Sequence, residues 1–157
     1  LMRSKPITLI FFLLTILAVL TVAGCGGSGG AKRITGLDPN GVVKTFFAAA
    51  KDNQLNEAGL YVSPSSRSSS GSTLKVIADQ LGIANLSAAN LLSTKQVAAQ
   101  DNYAVVVATM QNAQDSMKVT VKPVGLEKID GEWYIVDFDQ IYNDAKYKVL
   151  QQLLANI

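Results

Sequence analysis

Apolar residues fall into four successive patterns along this chain. They run almost unbroken from Ile7 to Ala23, recur at helical spacing from Val43 to Leu81, alternate through the strands up to Ile135, and return to helical spacing from Tyr142. Asp38-Pro39 is a helix start, because aspartate accepts first-turn amides and proline lacks an N–H that would have had no partner. Val43, Phe46, Phe47 and Ala50 follow at i, i+3, i+4 and i+7, which predicts a helix from Pro39 to Lys51 with one buried face, broken by Asp52-Asn53. Leu55, Ala58 and Val62 predict a second short helix, stopped by Ser63-Pro64. Ser65 to Ser72 contains no apolar residue and reads as a surface loop. Ser72 then caps a third helix with Leu74, Ile77, Ala78 and Leu81 inward and Gly82 at its exit, and residues 83–92 fit a short helix or a loop equally.

From Ser93 the period becomes that of strands. Tyr103 to Met110 is an uncharged run rich in β-branched residues, as in a strand covered on both faces. Met117, Val119 and Val121 alternate with Lys118, Thr120 and Lys122, which predicts a strand with the valines inward and the lysines wet. Pro123-Val124-Gly125 is expected to bulge or bend that strand, since proline cannot donate to a ladder. Asp130-Gly131 is a two-residue hairpin turn, with Trp133 and Ile135 sharing one face of the strand that follows. Tyr142, Ala145, Val149, Leu150, Leu153, Leu154 and Ile157 line one side of a C-terminal helix. Helices first and a meander afterwards make an α+β fold: N-terminal helices packed on a bent antiparallel sheet of about four strands, plus the C-terminal helix.

That order resembles the nuclear-transport-factor-two-like superfamily, a cone-shaped α+β fold also found in bacterial lipoproteins. The resemblance rests on the helix Pro39–Lys51 with its double phenylalanine and on the hairpin from Lys128 to Val136, and covers residues 38–138. It implies helices against a curved sheet, with any ligand or acid–base residues inside the cone. The helix after Asp139 departs from it.

The first apolar run changes the picture of where the chain works. Arg3 and Lys5 precede it, and Val22-Ala23-Gly24-Cys25 closes it, which is the layout of an export signal. Those four residues resemble the lipobox of bacterial lipoproteins, with Val22 in place of the commoner leucine. The resemblance implies signal peptidase recognition at Val22, Ala23 and Gly24, lipidation of Cys25, and a protein held on the cell membrane facing away from the cytoplasm. Glycines around Cys25 offer it no core, and no second cysteine exists for a disulfide. Gly26 to Gly30 with Ser28 is a flexible tether; no Walker lysine-serine pair follows to make it a phosphate loop. The predicted organisation is a signal over 1–24, lipidated Cys25 and tether over 25–37, and one domain over 38–157.

Charge and composition remove several functions. Loss of residues 1–24 takes Arg3 and Lys5 from the 14 lysines and arginines, leaving 12 against 12 aspartates and glutamates. A neutral domain has no electrostatic case for nucleic acid. Histidine is absent, which rules out Ser-His and Cys-His pairs and the commonest zinc ligand, so no metal and no cofactor is implied. Asp137 and Asp139 at i and i+2 offer a carboxylate pair for acid–base work or a hard cation, weighed against a strand end with Asp139 capping the last helix. Tyr103, Trp133 and Tyr134, with Asp137, are candidates to line an apolar pocket, weighed against ordinary core. The expected function is a non-catalytic binding module; the alternative is a small hydrolase or isomerase using Asp and Tyr. The apolar stripe of residues 140–157 either folds back on the sheet or serves self-association or a protein partner, and the expected wet lysine face favours the latter.

Overall fold

The structure, a computed structural model, describes residues 30–67, 74, 77, 88–113 and 115–157. Val22 to Cys25 lie outside that set, as do Ala78, Leu81 and Gly82 of the third predicted helix; Leu74 and Ile77 are helical. Asp38 opens the first helix as its spacing predicts, its Oδ1 accepting the Gly41 amide at 2.6 Å with Pro39 in the first turn. This helix, α1, spans Pro39–Lys51 and buries Val42, Val43, Phe46, Phe47 and Ala50. Two short helices follow, α2 at Leu55–Gly59 and α3 at Pro64–Arg67.

Four strands form one antiparallel meander in the order β1-β2-β3-β4: β1 Ala89–Gln100, β2 Tyr103–Asn112, β3 Val119–Ile129 and β4 Glu132–Ile135. The β3–β4 turn takes the left-handed conformation at both central residues, Asp130 (φ 51°) and Gly131 (φ 85°), which is the primed turn that matches strand twist. One face carries Val106, Ala108, Met110, Val124, Leu126 and Ile135 against α1, and Trp133 packs at its margin. The other carries Val105 and Gly125 against the C-terminal segment, where Ile141, Tyr147 and Leu150 are buried. The fold is therefore α+β with helices on both faces of a four-stranded sheet.

Several local expectations are corrected by this packing. The second helix stops at Gly59, and Val62 instead bridges Ile135, with Ser63 donating to the Ile135 carbonyl at 2.8 Å. The predicted loop Ser65 to Ser72 starts inside a helical turn, Pro64–Arg67, whose Ser66 is buried. Val119 and Val121 are 52% and 58% exposed, so the valine face is the wet one at this end of β3. Val124 and Leu126 must face α1, and strand parity then forces Val121 and Val119 to the opposite side. Pro123 makes no bulge: the β2–β3 register runs unbroken, and the register shifts lie in β1, around Leu92 and Val97. The single C-terminal helix is three pieces, α4 Phe138–Asn143, a 3-10 turn Ala145–Tyr147 and α5 Lys148–Ala155, because Asp144 is extended and caps the turn through the Lys146 amide. The cap of α4 is Asp137, which accepts the Asp139 amide, and not Asp139. The stripe folds back on its own sheet: Ile141 and Leu150 are fully buried, while Tyr142 and Ile157 stay exposed.

Candidate functional site

The densest polar chemistry lies where the C-terminal segment crosses the sheet. Glu127 is only 2% exposed, between Tyr103 and Tyr134 on the neighbouring strands. The 3-10 turn brings two donors to it, Lys146 Nζ at 2.6 Å from Oε2 and the Tyr147 hydroxyl at 2.9 Å from Oε1. A buried carboxylate is tolerated because both oxygens are bonded and its charge is paired. The Tyr147 hydroxyl also lies 3.3 Å from Ser65 Oγ, and Ser63, Ser65 and Ser66 form a hydroxyl chain that ends on Gln140. Asp137 joins it by donating its amide to Ser66 Oγ at 3.0 Å. The bond to Glu127 holds the Lys146 ammonium above its ordinary range, and burial holds the Tyr147 phenol above its own. Both stay protonated at neutral pH and serve Glu127 as donors. One clue to it was in the sequence, a carboxylate directly after the apolar stretch Val124-Gly125-Leu126.

The predicted pocket residues are separated by this arrangement. Tyr103 donates to the Lys146 carbonyl at 3.1 Å and meets the Tyr147 ring edge-on at 6.1 Å. Tyr134 shares that face but carries the Arg33 guanidinium 4.3 Å from its ring centre. Trp133 points to the α1 side, under the Lys128 ammonium at 5.5 Å. Burial raises the Asp137 carboxyl above its ordinary range, and its side chain is occupied as a helix cap. Among the described residues no group of three or more His, Cys, Asp or Glu is placed to hold a metal ion.

Composition placed residues 33–37 in the tether, yet they are fastened to the domain. Arg33 pairs with Glu132 at 2.6 Å, donates to the carbonyls of Leu60 and Trp133, and stacks on Tyr61 and Tyr134. The Gly36 amide completes the hold on Glu132 at 2.9 Å, and this bond, with Arg33, keeps the Glu132 carboxyl below its ordinary range. The chain thus joins its folded part at the β4 margin.

A cleft of about 180 Å³ lies beyond the end of β4. Ile77, Val124, Ile135, Val136 and Phe138 supply apolar walls, and Lys122, Pro123 and Gly125 complete the lining. Lys122 has no hydrogen-bond or ion-pair partner among the described residues. β4 pairs with β3 only from Leu126 onward, so β3 from Val119 to Val124 has a strand on one side alone among the described residues. Lys128 N–H and the Lys118 carbonyl bond toward β2, whereas the Gly125 carbonyl bonds Val136 on the β4 side. Alternation then points the backbone groups of Val119, Val121 and Pro123 away from β2. Proline there sacrifices no bond to β2, which is why the register survives it. No family model and no curated protein matches the chain.

Proposed function

We propose that this chain is a membrane-anchored, extracytoplasmic lipoprotein whose folded part is a non-catalytic binding module. The non-catalytic half is supported by one observation: the buried carboxylate of Glu127 is bonded at both oxygens. Lys146 and Tyr147 stay protonated on Glu127, Asp137 caps α4, and Tyr134 lies under Arg33. A hydrolase or isomerase needs a free base within reach of a bound substrate; the alternative reading asks that of Asp137, one of whose oxygens accepts the Asp139 amide. The order of helices before an antiparallel meander supports the resemblance to the nuclear-transport-factor-two-like superfamily. The anchoring half rests on the basic start, the apolar run and Val22-Ala23-Gly24-Cys25. No helix among the described residues is long and apolar enough to cross a membrane.

Mass spectrometry of protein isolated from membranes tests the anchor. The expected product begins at Cys25 and carries acyl chains, each buried CH₂ contributing about 0.8 kcal/mol to attachment. Cys25→Ala is expected to leave the precursor unprocessed at that site. An unmodified Cys25 in membrane-isolated protein refutes the reading.

A further inference from the structure

We propose that Asp130-Gly131 is a self-modifying site: the Gly131 amide attacks the Asp130 side chain, converts Asp130 to isoaspartate, and thereby frees Arg33 from Glu132. The site is independent of the anchor and of the binding module. Asp130 and Gly131 are the central residues of the β3–β4 turn, both exposed and both left-handed, at φ 51° and 85°. Among the described residues, neither the Asp130 carboxylate nor the Gly131 amide has a hydrogen-bond partner. A Cβ at Gly131 would meet nothing within 4 Å, so no packing holds the peptide between them. Attack on Asp130 Cγ needs that peptide plane turned over, which converts a type I′ turn to type II′. The rotation keeps the Asp130 φ positive and reverses the Gly131 φ, a change glycine makes freely.

Composition alone points to a different pair. In an unfolded chain at neutral pH Asn40-Gly41 is the more reactive, because a neutral carboxamide is a better electrophile than an ionised carboxylate. The fold closes that site. The Gly41 nitrogen already donates to Asp38 Oδ1 at 2.6 Å, Asn40 Oδ1 is buried, and both residues lie in the first turn of α1. A Cβ at Gly41 would stand 3.0 Å from Asp38 Oδ1 and 3.4 Å from Leu37. Attack there must wait until the start of α1 opens.

The step at Asp130 balances with water alone. The Gly131 nitrogen bonds Asp130 Cγ, and the protonated γ-carboxyl loses its hydroxyl with the amide proton as one water, leaving a succinimide. A second water then breaks one of the two ring C–N bonds. Breaking the Cγ–N bond restores aspartate. Breaking the bond at the main-chain carbonyl carbon leaves the chain running through Cβ and Cγ, as isoaspartate of unchanged mass. Ile129 pairs with Glu132 directly across this turn. Isoaspartate lengthens the main chain between them by one carbon, which a two-residue primed turn has no place for. Glu132 holds Arg33 at 2.6 Å and the Gly36 amide at 2.9 Å, so displacing it loosens residues 33–36 from the β4 margin.

The test incubates the full chain in detergent micelles in neutral heavy-oxygen water, folded and in guanidinium chloride. Peptides are then read by mass and by electron-transfer fragmentation, which tells isoaspartate from aspartate. In the folded chain, isoaspartate carrying heavy oxygen is expected at Asp130, about tenfold or more ahead of deamidation at Asn40. Unfolding is expected to reverse that order. Asp130→Glu must close a larger ring and is expected to stay unlabelled at that position. A protease that cuts after arginine reads the strap: the Arg33 side chain is 13% exposed, and cleavage after it is expected to be faster in the isomerised chain, separated by ion exchange. Fresh Glu132→Gln is expected to be cut at a similarly raised rate. No label at Asp130 in the folded chain, Asn40 ahead of it there, or the same order folded and unfolded overturns the inference. Cleavage after Arg33 at the fresh parent's rate in the isomerised chain overturns it equally.

Discussion

Gly125→Ala probes the contact that brings the C-terminal segment onto the sheet. A methyl group at Gly125 would stand 2.6 Å from Ile141 Cδ1 and 3.0 Å from Leu150 Cδ2, against a comfortable carbon–carbon separation of about 3.5–4.0 Å. Relief requires a shift of about 1 Å by side chains that are both fully buried. Forcing one carbon into a packed core costs about 1–3 kcal/mol. Replacing glycine by alanine in a strand returns about 0.5–1 kcal/mol through the unfolded chain, so a net loss of about 1–2 kcal/mol is expected. Urea denaturation followed by circular dichroism reads this as a midpoint lowered by about 0.5–1 M, taking a typical slope for a small domain. Ile141→Val removes the carbon that clashes first, and the double variant is expected to recover about 1 kcal/mol relative to additivity. If Gly125→Ala is as stable as the parent and shows no coupling to Ile141→Val, the close approach of the C-terminal segment to β3 is wrong.

Two further outcomes follow from the other side of the sheet and from the strap. Phe46→Ala is expected to destabilise by about 3–5 kcal/mol, because Phe46 is fully buried between α1 and the sheet beside Phe47, 5.4 Å ring to ring; an unchanged urea midpoint removes that packing. Glu132 has its folded pKa lowered, so its contribution to stability is complete above its ordinary 4.5 and is lost as pH falls through the lowered value. Asp137, whose pKa is raised, acts in the opposite sense over the same acid range. Glu132→Gln is therefore expected to flatten the acid limb of a stability–pH curve measured by urea titration, and an acid limb parallel to the parent's refutes the Arg33–Glu132–Gly36 hold.

What the sequence determined by itself was the set of local decisions. Asp38-Pro39 starts α1 and Asp130-Gly131 turns β3 into β4, because each rests on backbone chemistry within a few residues. Apolar spacing identified the α1 face and the Trp133–Ile135 face, since a period of 3.6 or 2 is a property of the element alone. The α+β class followed from the order of those elements. Tertiary structure decided whatever depended on a second element. Val119 and Val121 alternate as if buried, yet Val124 and Leu126 claim the α1 side and strand parity sends the valines to solvent. Composition called Arg33 and Gly36 tether, but Glu132, nearly a hundred residues later, fastens both. Glu127, the Lys146-Tyr147 pair and the serines at 63, 65 and 66 come from three distant stretches of chain, and no spacing links them.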